Sequence, residues 1–159
     1  MKSTRDKIVP SGRLARLLAR HRAQRRRIVF TNGVYDLIHA GHVTLLERAR
    51  RLGDILVVGL NSDASVRRLK GPKRPMAPAG DRGLVLAALE PVTYVTFFAE
   101  DTPYELIRKL RPDILVKGGD YSKDRIVGRD LVKKVVRIPL VKGRSTSALI
   151  GKILKAYGA

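Results

Sequence analysis

Four short segments of this 159-residue chain combine small or polar residues with groups able to meet a phosphate: Thr31 to His42, Asn61 to Asp63, Lys117 to Tyr121 and Gly143 to Ser147. The first contains His39-Ala40-Gly41-His42. A helix opening here would turn its free N–H groups and the positive end of its dipole toward an anion, and Gly41 would let that anion approach the main chain. Two imidazoles at the same place could donate hydrogen bonds to a phosphoryl group while charge builds on it. Two histidines three apart can also hold a metal, but no third ligand of a suitable type stands nearby and the remaining histidine, His21, lies far away in a basic segment. On spacing alone, His39 as a structural cap and His42 as a core residue fit as well as the phosphate reading. Position after a strand favours the phosphate. The chain has no cysteine, which excludes a thiolate nucleophile, a thiolate metal site and a disulfide framework. It also has no G-x-G-x-x-G and no G-x-x-x-x-G-K-[ST], so the dinucleotide-binding and P-loop readings lose their main support.

The elements that must hold these segments are legible from periodicity. A helix is expected from a cap at Ser11 to about Arg27, with Leu14, Leu17 and Leu18 on one face. Ile28 to Thr31 reads as a strand leading through Asn32-Gly33 into a helix that carries Leu45, Leu46, Ala49 and Leu52 and stops at Gly53. Ile55 to Leu60 is a continuous apolar run of the kind buried on both faces, and Asn61-Ser62-Asp63 offers capping oxygens to the next helix. Residues 70 to 80, with three prolines and two glycines, read as a loop bearing Lys70, Lys73 and Arg74. A helix from Asp81 to Leu89, a strand from Val92 to Phe98 and a capping box at Thr102-Pro103-Tyr104-Glu105 follow. Strands at 114–116 and 135–138 and a helix from about Ser145 to Tyr157 complete the chain. Alternating strands and helices imply a Rossmann-like three-layer α/β/α sandwich with a mostly parallel five-stranded sheet, whose ligands bind at the carboxyl ends of the strands.

Composition bounds the partners. The net charge of +19 attracts polyanions of any kind. Residues 1 to 27 hold ten Lys/Arg against Asp6 alone, so nine of the nineteen net charges fall in a basic N-terminal helical segment, outside a catalytic domain expected at 28–159. No aromatic residue interleaves with those arginines, so a solvated face is expected there and a nucleic-acid partner is not. The first 27 residues hold no signal-peptide-like apolar run, and the apolar stretches elsewhere fall far short of the ~20 residues of a membrane span. A cytoplasmic protein without a membrane partner is expected.

Thr31-Asn32-Gly33-Val34-Tyr35-Asp36-Leu37-Ile38-His39-Ala40-Gly41-His42 resembles the signature of the HxGH nucleotidyltransferase superfamily, in which a strand leads through G-x-[FY]-D into H-x-G-H. With Leu60 to Pro72, Glu100 to Pro103, Val116 to Tyr121, Ile126 to Gly128 and Gly143 to Ser147, the chain is similar to the D-glycero-β-D-manno-heptose 1-phosphate adenylyltransferase family over nearly all of residues 28 to 155. That resemblance implies ATP as co-substrate with Mg²⁺ carried on the triphosphate, a sugar phosphate as acceptor, a homodimer, and ADP-heptose for bacterial lipopolysaccharide as the product. It places Val34 and Tyr35 on ATP through their backbones, and His39, Gly41 and His42 beside the α- and β-phosphates. Lys70 would neutralise charge in the transition state. Asp120, after Lys117-Gly118-Gly119, would meet the ribose or base, and Arg144, Ser145 and Thr146 would meet phosphate. Asp36 and Arg82, with Arg74 behind them, are the candidates for the sugar phosphate, and a helix-surface charge is the alternative for Arg82. The departures are Val34-Tyr35 where cysteine and phenylalanine are commoner, Ser147 for a frequent threonine, and a stretch between Gly128 and Pro139 a few residues short, which alters the wall of the sugar pocket. A glycerol-3-phosphate cytidylyltransferase or FAD synthase would share H-A-G-H and the fold. A basic nucleic-acid-binding module that kept the fold without catalysis is the rival of another class.

Overall fold

The computed structural model describes residues 3–119, 126–139 and 141–158. Its elements run α1 (Ser11–Ala23), β1 (Ile28–Gly33), α2 (Ala40–Arg50), β2 (Ile55–Asn61), α3 (Asp63–Lys70), α4 (Ala79–Ala88), β3 (Tyr94–Phe98), α5 (Tyr104–Leu110), β4 (Ile114–Gly118), β5 (Lys134–Ile138) and α6 (Thr146–Tyr157). The five strands lie in the order β3-β2-β1-β4-β5, and every pairing is parallel. The sheet is therefore wholly parallel, as covered faces on both sides demand.

Strand periodicity sorts the core into two layers. Val29, Leu56, Val58, Leu60 and Val95 join a cluster with Leu46 and Ala49 of α2 and Leu86 and Ala87 of α4. Their strand neighbours Ile28, Phe30, Ile55, Val57 and Leu115 join the opposite cluster with Leu14 and Leu18 of α1 and Leu106, Ile107 and Leu110 of α5. Successive side chains point to opposite faces, so each apolar run feeds both layers at once. All seven residues of β2 are buried. β1 is the middle strand of the five with β2 beside it, and the loops after these two parallel strands open at the same end.

Several element boundaries depart from the sequence pattern. α1 ends at Ala23 rather than near Arg27, and Arg25 turns left-handed at φ 57° where the arginine run leaves the apolar face. Ser11 is the first helical residue and Pro10 holds the cap position, so the expected serine cap does not form. Nor does the capping box at Thr102: α5 starts at Tyr104 behind Pro103 with no side-chain cap. The strand expected from Val92 begins at Tyr94, because Thr93 spends its backbone N–H on Leu56 and its hydroxyl on the Leu56 N–H. α4 starts two residues earlier than Asp81, behind Pro78.

Arg82 corrects the surface-charge reading. It is 1% exposed, and its guanidinium is spent entirely inside the protein. Nε donates to the Ala77 carbonyl (2.9 Å), Nη1 to the Val34 carbonyl (2.6 Å), and Nη2 to the Asn61 carbonyl (2.9 Å) and to Asp63 Oδ1 (2.6 Å). One side chain thus ties the loop after β1, the end of β2, the start of α3 and the segment before α4. Removing it strands the buried Asn61 carbonyl, two part-buried carbonyls and a part-exposed carboxylate. Arg82→Met is expected to lower unfolding free energy by about 3–5 kcal/mol in urea titration. A loss below about 1 kcal/mol would show that the four segments hold one another without it.

Candidate functional site

The chain leaves β1 through a forced turn. Tyr35 adopts a left-handed conformation at φ 46°, unusual for a bulky residue, and its ring is buried under the site. Gly33 is needed below it, since a Cβ there would lie 3.0 Å from the Tyr35 ring. Burial pushes the Tyr35 hydroxyl up to about 12, opposed in smaller measure by Thr31, so the ring stays neutral. It serves as a platform: the His42 ring stands 5.0 Å from it, tilted by 53°.

His39 is the N-cap of α2 and His42 lies in its first turn, which stacks their rings at 3.8 Å and 24°. Gly41 makes room for the stack, because a Cβ would sit 3.0 Å from the His39 ring and 3.2 Å from Arg144 Cβ. No side chain caps α2, unlike α3 and α6, whose first turns are capped by Ser62 and Ser145. The Nδ1 atoms of both histidines are buried and bonded to nothing among the described residues. Burial, then the charge of His39, drives His42 down to about 4; burial, then Arg144, holds His39 below its ordinary value. The empty pair is neutral at pH 7, with hydrogen-bonding capacity held open at the positive end of a helix.

Around this stack the other expected residues divide into groups. Lys117, at the end of β4, donates from Nζ to Asn32 Oδ1 at the end of β1, and burial lowers it to about 8. Gly119 turns at φ 105° and returns its N–H to the Ile138 carbonyl (3.0 Å), while Asp120 lies outside the described residues. A cavity of about 420 Å³ opens here, lined by Val34, Tyr35, His42, Lys117, Ile126 and Val127 among others. Arg144 is exposed, Ser145 caps α6 by accepting from the Ala148 N–H (3.1 Å), and the Thr146 hydroxyl donates to the Leu37 carbonyl (3.4 Å). Together these set the start of α6 against the loop that carries the histidines.

The segment after α3 is clasped by Asp36. Its buried carboxylate accepts from Arg74 Nε (2.5 Å), from the Met76 N–H (2.8 Å) and from the Ala77 N–H (3.0 Å). Burial alone would raise Asp36, but the hydrogen bonds of Ala77, Met76 and Arg74, with the arginine's charge, hold it below its ordinary value. Lys70 ends α3, exposed, just before Gly71 turns at φ 93°, and makes no hydrogen bond or ion pair among the described residues. Sequence inspection missed Asn32, whose only signal was its place at a strand end, and missed the Asn61-Ser65 pair (3.0 Å) that closes the knot around Arg82. No group of three or more His, Cys, Asp or Glu able to hold a metal occurs among the described residues.

The neutral stack has a pH signature. His42 titrates near 6.5 when unfolded and near 4 when folded, so the unfolded chain binds protons first as pH falls. Stability is therefore expected to decline between about pH 6.5 and pH 4, above the range where Asp36 contributes, and His42→Phe should flatten that decline in thermal melts. An unchanged slope in the variant would place the proton uptake elsewhere.

Comparison with known proteins agrees with this geometry. The cytidylyltransferase-like family model matches residues 30–154, the span from β1 into α6. The chain is 56% identical over 148 residues to the bifunctional protein HldE of Trichlorobacter lovleyi, covering 91% of this chain and 30% of that protein. It is 53% identical over 150 residues to HldE of Wolinella succinogenes, covering 94% and 32%. The chain thus spans about a third of the length of these relatives. Among solved structures, a lipopolysaccharide core biosynthesis protein from Thermoplasma volcanium superposes with a TM-score of 0.64 at 26% identity, over 74% of this chain and 99% of that one. With the family model matched from the first strand through the histidine stack to the last helix, the chain belongs to the cytidylyltransferase-like family.

Proposed function

We propose that this chain is an adenylyltransferase that joins ATP to D-glycero-β-D-manno-heptose 1-phosphate, giving ADP-heptose and pyrophosphate. The carrying observation is the stacked, unpartnered pair His39 and His42 at the uncapped start of α2. The choice of acceptor is supported by the resemblance of the other motifs and by 52–58% identity to eight HldE proteins.

In this reading a phosphate oxygen of the sugar phosphate attacks the α-phosphorus of ATP. The bond from that phosphorus to the α–β bridging oxygen breaks, and pyrophosphate leaves with the electron pair. The protein supplies no nucleophile; it aligns two polyanions and absorbs charge. His39 and His42, with the Ala40 and Gly41 amides, face the α- and β-phosphates. Lys117 and the turn at Gly119 border the nucleoside in the cavity, with the Val34 and Tyr35 backbones against it and Asp120 on the ribose or base. Arg144, Ser145 and Thr146 bring the start of α6 to the phosphates, and Lys70 swings in as charge moves to the leaving group. Arg74 reaches for the sugar phosphate. Asp36 and Arg82 act behind it by fixing the segment from which it projects, since their own polar atoms are engaged. Mg²⁺ would ride on the triphosphate and neutralise part of its charge, because Asp36, the carboxylate nearest this loop in sequence, is already saturated. A homodimer in the cytoplasm belongs to the same proposal, on the family resemblance.

Pyrophosphate release is expected with ATP, Mg²⁺ and the heptose phosphate, and not with CTP. His39→Ala should lower kcat roughly 10²–10³-fold with its fold intact. Turnover only with another nucleotide and acceptor would keep the mechanism and reject the heptose assignment. For Lys117→Met, KM for ATP should rise and lose its dependence on pH around 8, the range in which the empty enzyme's Lys117 gives up its proton. A KM that still climbs across that range would place the titrating group elsewhere.

A further inference from the structure

α6 is an amphipathic helix whose apolar face nothing among the described residues covers. No residue of it is buried. Leu149, Ile153, Leu154 and Tyr157 are 37%, 47%, 63% and 88% exposed, and with the half-buried Ile150 they form one stripe at helical spacing. The helix meets the body at its first turn, through Thr146 and the Leu37 carbonyl. Four large apolar side chains facing water on a single helix are too many to be incidental exposure.

Charge selects the occupant. Residues 141 to 158 carry Lys142, Arg144, Lys152 and Lys155 and no carboxylate, within a chain of net charge +19. A second α6 packed against this one would bring the same cations and no acid to answer them. The stripe itself is aliphatic, and its only polar group is the hydroxyl of the terminal Tyr157, little for a specific protein partner to read. Lysines on the polar side, leucine and isoleucine on the other, and a tyrosine at the end suit a surface that is apolar inside and anionic outside. We infer that α6 is a peripheral anchor that lays its apolar stripe into an anionic lipid surface, with Lys152 and Lys155 reaching the headgroups. At 12 residues the helix is about 18 Å long, too short to cross a bilayer, and no described helix is long and apolar enough to do so. The contact lies on the membrane, which is how it escapes the sequence-based expectation of no membrane partner: hydropathy windows register spans, not uncovered faces.

The test is co-sedimentation of the full chain with vesicles of phosphatidylcholine alone and of phosphatidylcholine mixed with phosphatidylglycerol. Binding is expected to the mixed vesicles only, to weaken with added salt, and to fall roughly tenfold or more in the paired variants Ile153→Glu/Leu154→Glu and Lys152→Glu/Lys155→Glu. All four positions are exposed, and circular dichroism checks each fold; if the first pair unfolds, the lysine pair decides. Absence of binding to the mixed vesicles overturns the inference. Equal binding by folded variants overturns it as well, since the arginines elsewhere would then account for the attraction. Sedimentation in which the wild type is a dimer, Ile153→Glu/Leu154→Glu is a monomer and neither binds vesicles would assign the stripe to a second copy instead.

Discussion

Two imidazoles stacked at 3.8 Å resist being charged together, and the site is organised around that constraint. Burial, with the charge of His39 acting on His42 and that of Arg144 on His39, keeps the pair neutral, while its position at the start of α2 would favour proton uptake were phosphate to bind there. The surrounding structure makes the stack possible. Tyr35 turns left-handed to lie under His42, Gly33 leaves room for that ring, and Gly41 keeps a side chain out of the space between His39 and Arg144. Arg82 and Asp36 then fix the loops on either side by satisfying buried carbonyls and amides that would otherwise need water.

A division of labour among the cations follows. Arg82 and Arg74 sit in salt bridges at 2.6 and 2.5 Å, the first with no exposed side-chain surface. Lys117 is neutralised more easily than an ordinary lysine because it is buried, with the amide oxygen of Asn32 as its hydrogen-bond partner. Lys70 and Arg144 are exposed and free to move. Arg82 is thus held on every side by the fold, Arg74 is held through Nε by Asp36, and Lys70 and Arg144 stay exposed, a graded set of cations that accords with the proposed site for two polyanions.

Much of this was legible in the sequence. Ile55 to Leu60 announced a strand buried on both faces, and the run from Thr31 to His42 announced a helix start bearing two histidines after β1. What escaped was fixed by tertiary packing. A lone arginine in a helix looks the same whether it faces solvent or four loops, so Arg82 could be read as a surface charge; only the fold brings Ala77, Val34, Asn61 and Asp63 to it. Thr102 has capping-box spacing, yet the chain leaving β3 enters α5 through Pro103 instead. The stripe on α6 was visible as periodicity, but whether anything covers it depends on where the helix docks.

The central claim is that the histidine stack is a neutral receiver for phosphate. It is tested most directly by NMR titration of the His39 and His42 ring protons with and without ATP and Mg²⁺. The account predicts that His42 titrates near 4 in the free protein and moves upward when the nucleotide binds, with His39 shifting in the same direction. A His42 that titrates near its ordinary 6.5 when free, or that does not respond to the nucleotide, would contradict it.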